Sequence, residues 1–169
     1  MQTHMQRPAR STFATPLGRC AISWEGAAIT RFELPDAAAR ADDAEAPPEF
    51  VAEIIRRVGR HLVGGREDFS DLPYDFRRAP DFAREVYRAT LAVKPGRTAS
   101  YGAIAAAIGQ PAAASRAVGA ALGSNPWPLL VPCHRIVAAD GRMTGFSGPG
   151  GIKTKLRLLA LEGSELFAE

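Results

Sequence analysis

Apolar residues that recur every three to four positions predict three amphipathic helices in this chain. The apolar stripes lie within residues 50–62, 82–93 and 152–159. Each stripe is followed by glycine, alone or after proline, and these residues commonly end helices. Helices are therefore expected from the second quarter of the chain to its C-terminal end.

The pattern before the first helix predicts a β-hairpin. Residues 19–24 and 27–34 flank the turn Glu25-Gly26. Residues 1–14 are expected to be a mobile leader. Residues 66–80 contain Pro73 and Pro80, so we predict a connector there. It would join an N-terminal unit, residues 1–79, to a C-terminal unit, residues 80–169.

Two short helices between the second and third stripes predict a helix-turn-helix. Ser100 is placed to cap the first of them, and Gln110-Pro111 turns the chain into an alanine-rich second helix, residues 112–122. Arg116 is its one long polar side chain. Such a helix reads few base edges, which favours a sequence-blind DNA contact over a transcription regulator. The high helix propensity of alanine accounts for the composition equally well.

Composition narrows the class of protein. The chain has 169 residues, 46% hydrophobic and 23% charged, which suits one globular domain or two small ones. No apolar run reaches the roughly 18–20 residues of a membrane span, and the N-terminus lacks the apolar core of a secretory signal. Two cysteines and three histidines are too scattered for a disulfide framework or a zinc site. We expect a cytoplasmic protein without a metal or a membrane contact.

Charge is distributed unevenly along the chain. The formal net charge is +3, but residues 1–79 hold 11 Arg and 12 acidic residues, whereas residues 80–169 hold 10 basic and 6 acidic ones. No acidic residue lies between Val86 and Ala139. This stretch suits a polyanion such as DNA, and it is equally consistent with a basic surface that has no partner.

The apolar segment 129–137 carries three reactive or charged side chains where a buried strand is predicted. They are Cys133, His134 and Arg135. A thiol beside a base suggests a nucleophile, while the alternative is a small buried cysteine and a hydrogen-bonded core histidine. Arg135 must find acceptors or point out of the core. Strand neighbours face opposite ways, so direct contact between Cys133 and His134 requires a bend, which Pro132 can supply.

Six motifs between residues 82 and 163 resemble, in order and spacing, those of the O6-alkylguanine-DNA alkyltransferases, or methylated-DNA–protein-cysteine methyltransferases. The motifs are Ser100-Tyr101-Gly102, Arg116-Ala117-Val118-Gly119, Asn125-Pro126, Pro132-Cys133-His134-Arg135-Ile136-Val137, Gly145-Phe146-Ser147-Gly148 and Leu161-Glu162-Gly163. Residues 1–79 match only loosely, through Thr15-Pro16-Leu17-Gly18 and the order of hairpin and helix. The resemblance implies an α/β plus α fold. A small ribonuclease-H-like supporting domain would precede a winged-helix-like helix-turn-helix domain that binds DNA and accepts the alkyl group.

The resemblance also implies a function. The chain would repair double-stranded DNA by direct reversal, moving the alkyl group of O6-alkylguanine, and of O4-alkylthymine, to its own Cys133 after base flipping. Because a thioether has no good leaving group, each molecule would act once. We expect no cofactor, no protein partner and a monomer. We also expect no metal, because the zinc site known in some relatives has no evident ligand set in this sequence.

The catalytic roles follow from the same resemblance. Cys133 would be the acceptor, His134 its base through a water molecule, and Glu162 the residue that orients the imidazole. Tyr101 would bond the flipped guanine and help to neutralise the leaving oxygen.

The binding roles are likewise implied by the family. Ser147 would donate to the leaving oxygen, the Cys133 and Ile136 carbonyls would face the exocyclic amine, and Pro128 would line the pocket. Asn125 would act as a hinge that holds helix and active-site segment together. Arg116 would fill the gap left by the flipped base, and DNA would also contact Ala117, Arg135 and Ser100.

Two features depart from the family pattern, and two alternative functions remain. Phe146 stands where many relatives have Tyr, and loop 146–151 is longer than the shortest family version, which affects the placement of Ser147. A recognition module of the same fold would flip the base without transfer, but such relatives replace the acceptor cysteine, typically by Trp. A Cys-His hydrolase would lack an evident oxyanion hole and would leave the acid-free helix-turn-helix unexplained.

Overall fold

The computed structural model describes residues 9–35, 46–140 and 151–164 and has a mixed α/β fold. Its three long strands form an antiparallel sheet in the order β1-β2-β3. They are β1, Ala9–Thr15; β2, Gly18–Glu25; and β3, Ala28–Glu33. The predicted hairpin is confirmed by β2 and β3.

The predicted leader is wrong from Ala9 onward. Strand β1 pairs with β2 along its whole length, from Ala9 opposite Trp24 to Thr15 opposite Gly18. An ion pair of 3.0 Å between Arg10 and Glu33 ties this edge strand to β3 across the sheet. Polar residues on β1 hid it in the sequence, because an edge strand can remain partly exposed on both faces. Residues 1–8 lie outside the described part of the chain.

The described residues contain five α-helices and a second, two-stranded sheet. The helices are α1, Glu49–Arg60; α2, Asp81–Leu91; α3, Tyr101–Ala107; α4, Ser115–Gly123; and α5, Gly151–Leu161. The short strands β4, Ala99–Ser100, and β5, Ile136–Val137, are parallel. None of these helices is long and apolar enough to cross a membrane.

Helix α1 buries Val51, Ile54 and Val58 and then widens into a looser turn, His61–Gly65. Gly64 has φ +95, a left-handed value that glycine adopts without strain. The wide turn keeps His61 and Leu62 buried beyond the regular helix. It thereby directs an imidazole from the N-terminal half into the interior.

One core spans both predicted units. Trp127 packs edge-to-face against Tyr74 and Tyr87, and its Nε1 donates a 3.0 Å hydrogen bond to the carbonyl of Ile29 in β3. The backbone N–H of Phe32 donates to the carbonyl of Pro126 at 2.9 Å. The sheet therefore supports the loop that leads into the cysteine segment. The domain boundary near residue 80 stays a prediction.

The predicted cap of the helix-turn-helix is confirmed. Ser100 Oγ accepts a hydrogen bond of 3.0 Å from the backbone N–H of Ala103 at the start of α3. The second helix begins with a single tighter turn, Ala112–Ala114, and continues as α4. Val118 and Leu122 on α4 are buried.

Candidate active site

The segment around Cys133 is not the strand that its apolar composition predicted. Cys133–Arg135 form one turn of 3₁₀-helix, and only Ile136–Val137 continue as strand β5. The turn follows Pro132, whose carbonyl accepts a 2.9 Å hydrogen bond from the N–H of Arg135. This is the bend that contact between neighbouring side chains requires. In a 3₁₀ turn, successive side chains are about 120° apart rather than opposite.

Asn125 holds the loop that precedes this turn. Its Nδ2 donates to the carbonyl of Val131 at 2.9 Å, and its Oδ1 accepts from the N–H of Trp127 at 2.9 Å. Leu129 at the tip is buried and has φ +79, a left-handed value that costs a branched residue about 1 kcal/mol or more. The hydrogen bonds of the Asn125 side-chain amide stabilise this conformation.

Glu162 is the hub of a buried polar cluster. It follows the last residue of α5, and its side chain is 1% exposed. Its Oε2 accepts hydrogen bonds from His134 Nε2, His61 Nε2 and Arg135 Nη2, each at 2.8 Å. Its Oε1 accepts from Arg135 Nε, also at 2.8 Å. Two imidazoles and one guanidinium thus share one carboxylate.

Arg135 is engaged inside the protein, which argues against the predicted contact with DNA. The residue is 4% exposed, and its Nε and Nη2 both donate hydrogen bonds to the Glu162 carboxylate. Its remaining terminal nitrogen, Nη1, donates to the carbonyl of Val93 at 2.7 Å. A planar guanidinium matches a carboxylate with two parallel bonds, which offsets the cost of burying its charge. Arg135 has found acceptors rather than pointing out of the core.

The charges in the cluster determine where the protons lie. Burial raises the pKa of Glu162, but the hydrogen bonds from Arg135, His134 and His61 outweigh it and hold the pKa well below its usual value. The carboxylate is therefore ionised and only accepts, so His134 carries its proton on Nε2. Burial lowers the pKa of His134, despite the attraction of Glu162, and keeps the ring neutral. Its Nδ1 is then an unprotonated base, and among the described residues it has no hydrogen-bond partner.

The thiol of Cys133 needs such a base. Burial raises the pKa of Cys133, although the hydrogen bond from Asn125 and the charge of Lys155 pull it down. Lys155 lies on the buried face of α5, where its Nζ donates to the carbonyl of Ile136 at 2.7 Å. Burial lowers the pKa of Lys155, and the nearby Cys133 opposes this shift. These opposing effects on its pKa suit a resting thiol that ionises when a neighbouring base removes its proton.

Comparisons with known proteins point to one family. The family model described as 6-O-methylguanine DNA methyltransferase, DNA binding domain, matches residues 81–164. A methylated-DNA–protein-cysteine methyltransferase of Mycolicibacterium paratuberculosis is 38% identical over 154 residues, covering 89% of this chain and 90% of the relative. The chain belongs to the methylated-DNA–protein-cysteine methyltransferase family.

Two further members of the comparison matter for the function. A crystal structure of Mycobacterium tuberculosis OGT in complex with DNA matches with a TM-score of 0.78 and 34% identity, covering 91% of this chain and 92% of that one. A protein of Thermus thermophilus named DNA base-flipping protein is 38% identical over 150 residues, covering 89% of this chain and 97% of the relative.

In this member of the methyltransferase family, the small parallel sheet joins the helix-turn-helix to the cysteine turn. Ala99 pairs with Ile136, and Ser100 with Val137. Tyr101, the next residue, is half-buried, and its ring lies 3.8 Å from where a Cβ on Gly119 would be, which is an ordinary van der Waals distance. The start of α3 therefore lies beside the segment that carries Cys133.

The other expected site residues are placed as follows. Arg116 and Ala117 are exposed on α4, and Pro128 is half-buried in the loop that Asn125 braces. Ser147, with Phe146 and its loop, lies outside the described residues. No group of three or more potential metal ligands occurs in the part of the chain that the structure describes.

Sequence reasoning missed two members of the site, His61 and Lys155. Lys155 occupies a buried position of α5 together with Leu158 and Leu159. A lysine at such a position was the available signal, since lysine is rarely buried without a partner. His61 precedes the buried Leu62 at the end of α1, but its partner Glu162 is 101 residues away. No local pattern could have revealed that contact.

Proposed function

We propose that this chain repairs O6-alkylguanine in double-stranded DNA by moving the alkyl group to Sγ of its own Cys133, once per molecule. One observation carries the proposal: beside Cys133, the buried neutral His134 donates to ionised Glu162 and keeps its other nitrogen unprotonated. A cysteine used only for packing needs neither an oriented base nor a buried ammonium nearby.

The transfer balances with these groups and water. Through a bridging water, His134 Nδ1 takes the Cys133 proton, and the thiolate attacks the alkyl carbon. The S–C bond forms as the C–O6 bond breaks, and the electron pair moves to the guanine oxygen. Tyr101 and Ser147 are the donors proposed for that oxygen. The proton held by His134 passes to solvent, and the guanine anion takes up one proton in exchange, which restores neutral guanine. The step needs neither a metal nor an oxyanion hole, because the reacting carbon is not an acyl carbon.

Delivery of the base would fall to the helix-turn-helix. A stacked guanine is out of reach of Cys133, so it must be flipped out at a cost of a few kcal/mol. The exposed Arg116 and Ala117 on α4 suit insertion beside the gap. Few side chains on α4 can read base edges, so phosphate contacts, including those near Ser100, would bind DNA with little sequence preference.

Inside the pocket, the flipped base would meet backbone acceptors. The carbonyls of Cys133 and Ile136 are proposed to face the exocyclic amine, and Pro128 to line the wall. The Ile136 carbonyl already accepts from Lys155, which leaves its second lone pair for the base. O4-alkylthymine carries an equivalent alkylated oxygen, so the same attack would serve it.

The finer architecture and location belong to the same proposal. Three antiparallel strands followed by α1, with a parallel bridge between Ile29 and Tyr74, support a ribonuclease-H-like N-terminal unit. Helices α3 and α4, which lie in the chain between the paired strands β4 and β5, support a winged-helix-like unit. Cys20 and Cys133 are both unpaired thiols, which suits a protein of the reducing cytoplasm. The proposal of a monomer rests on the family resemblance.

Recognition without transfer is the second candidate, because the Thermus thermophilus relative named DNA base-flipping protein is also 38% identical. Labelled methyl transfer from O6-methylguanine duplex separates the two. Cys20 is the matched control, since burial raises its pKa to about 11. We expect wild type and Cys20→Ala to retain label and Cys133→Ala to retain none. Label on Cys133→Ala would overturn the acceptor, and unlabelled wild type that still binds DNA would favour recognition.

A further inference from the structure

His61 reaches the cluster from the N-terminal half with both ring nitrogens engaged. Its Nδ1 accepts a 3.1 Å hydrogen bond from the backbone N–H of Glu67, so the proton must lie on Nε2. That Nε2–H donates to Glu162 Oε2 at 2.8 Å. The ring is 1% exposed and packs against Phe69, with 5.2 Å between ring centroids. The tautomer and direction of His61 are both determined by its surroundings.

This bond supplies a constraint that Arg135 alone does not. The two hydrogen bonds from Arg135 to the two oxygens of Glu162 fix the line that joins these oxygens, but the carboxylate can still tilt about that line. His61 donates to Oε2 from another part of the fold and removes that freedom. The same oxygen receives the Nε2–H of His134, so the position of Oε2 sets where His134 Nδ1 points.

We propose that His61 is a positioning residue for alkyl transfer, acting through Glu162 on His134. The inference rests on the proposed function, and it gives the N-terminal half an indirect part in the chemistry in addition to its support of the fold. His61 itself touches neither the acceptor nor the base. Its effect should therefore appear in the rate of transfer and the state of His134, not in the number of alkyl groups accepted.

Three variants separate positioning from packing. His61→Leu removes both hydrogen bonds while keeping an apolar group of similar bulk. His61→Gln restores an N–H donor near the place of Nε2. Phe69→Leu is the matched control, because it disturbs the packing of the same ring without removing a donor to Glu162.

The test compares the single-turnover rates of alkyl transfer from an O6-methylguanine duplex. The final number of alkyl groups per chain gives the fraction of molecules that are folded and active. We expect His61→Leu to be about tenfold slower while still reaching one alkyl group per chain. His61→Gln should recover most of the rate, and Phe69→Leu should match wild type per folded molecule. Equal rates for His61→Leu and wild type would overturn the proposal, as would His61→Gln being as slow as His61→Leu.

A second readout does not depend on transfer. In ¹⁵N-detected NMR at neutral pH, wild-type His134 should be a single tautomer protonated on Nε2. His61→Leu should show a mixture of tautomers, and His61→Gln the single form. An unchanged His134 signal in His61→Leu would contradict the positioning role. If wild type transfers no alkyl group, the proposed function falls, and this spectrum still decides the role of His61.

Discussion

Removing Arg135 from the buried cluster should cost far more stability than removing a surface arginine. The change Arg135→Met deletes two bonds to Glu162 and one to Val93, and it leaves a carboxylate 1% exposed without its cation. Breaking a buried ion pair in this way typically costs about 3–5 kcal/mol. Glu162→Gln should cost a similar amount, because it strands the guanidinium instead.

The double variant separates ionic coupling from packing. With both charges gone, neither partner is left buried and unpaired, and the Gln oxygen still accepts from the two imidazoles. We expect the loss in Arg135→Met with Glu162→Gln to be smaller than the sum of the single losses by about 2 kcal/mol or more. Urea unfolding at neutral pH measures all four chains, and the slope of each transition should be unchanged.

Two results would refute this reasoning. Single losses below about 1 kcal/mol would place the pair among exposed ion pairs, which contribute little. If the loss of stability in the double variant equals the sum of the two single losses, the charges of Arg135 and Glu162 do not stabilise each other. Either result would remove the basis for an ionised Glu162, and with it the tautomer assigned to His134.

Three other predictions concern pH, the thiol and DNA. Burial lowers the pKa of folded His134, so below about pH 6.5 the unfolded chain binds a proton that the folded chain does not. As the pH is lowered through this range, the free energy of unfolding measured by urea titration should fall by about 1.4 kcal/mol for each pH unit. A His134→Gln variant with the same pH slope would contradict this origin. Lys155→Met should raise the pKa of Cys133, moving the pH midpoint of thiol alkylation upward; an unmoved midpoint would mean the ammonium does not act on the thiol. Arg116→Ala should reduce repair of duplex DNA more than reaction with free O6-benzylguanine, and equal losses would exclude insertion beside a flipped base.

Much of the fold is local enough to be predicted from the sequence. The β2–β3 hairpin follows from the segments that flank Glu25-Gly26, and the cap at Ser100 from hydrogen bonding within one turn. Strand β1 escaped prediction because its order comes from pairing with β2, not from an apolar pattern of its own. The cysteine turn was not predicted, because an apolar run indicates only that a segment is buried. A 3₁₀ turn in the core is buried as well as a strand is.

The site was predictable only as far as sequence neighbours go. Cys133 and His134 adjoin each other, and the family resemblance adds Glu162. The roles of Arg135 and His61 depend on contacts that span 27 and 101 residues, which no periodicity encodes. Burial of Arg135 next to an acceptor also reverses the ordinary expectation that an arginine in a basic stretch contacts DNA.

The central claim is that one thiol, Cys133, receives the alkyl group and is not regenerated. Intact-protein mass spectrometry after incubation with excess O6-methylguanine duplex tests it most directly, followed by peptide mapping. The account predicts one added methyl group per chain, located on Cys133, with no further gain at longer times or higher DNA concentration. No gain in mass, a methyl group on another residue, or repair of more than one lesion per chain would contradict it.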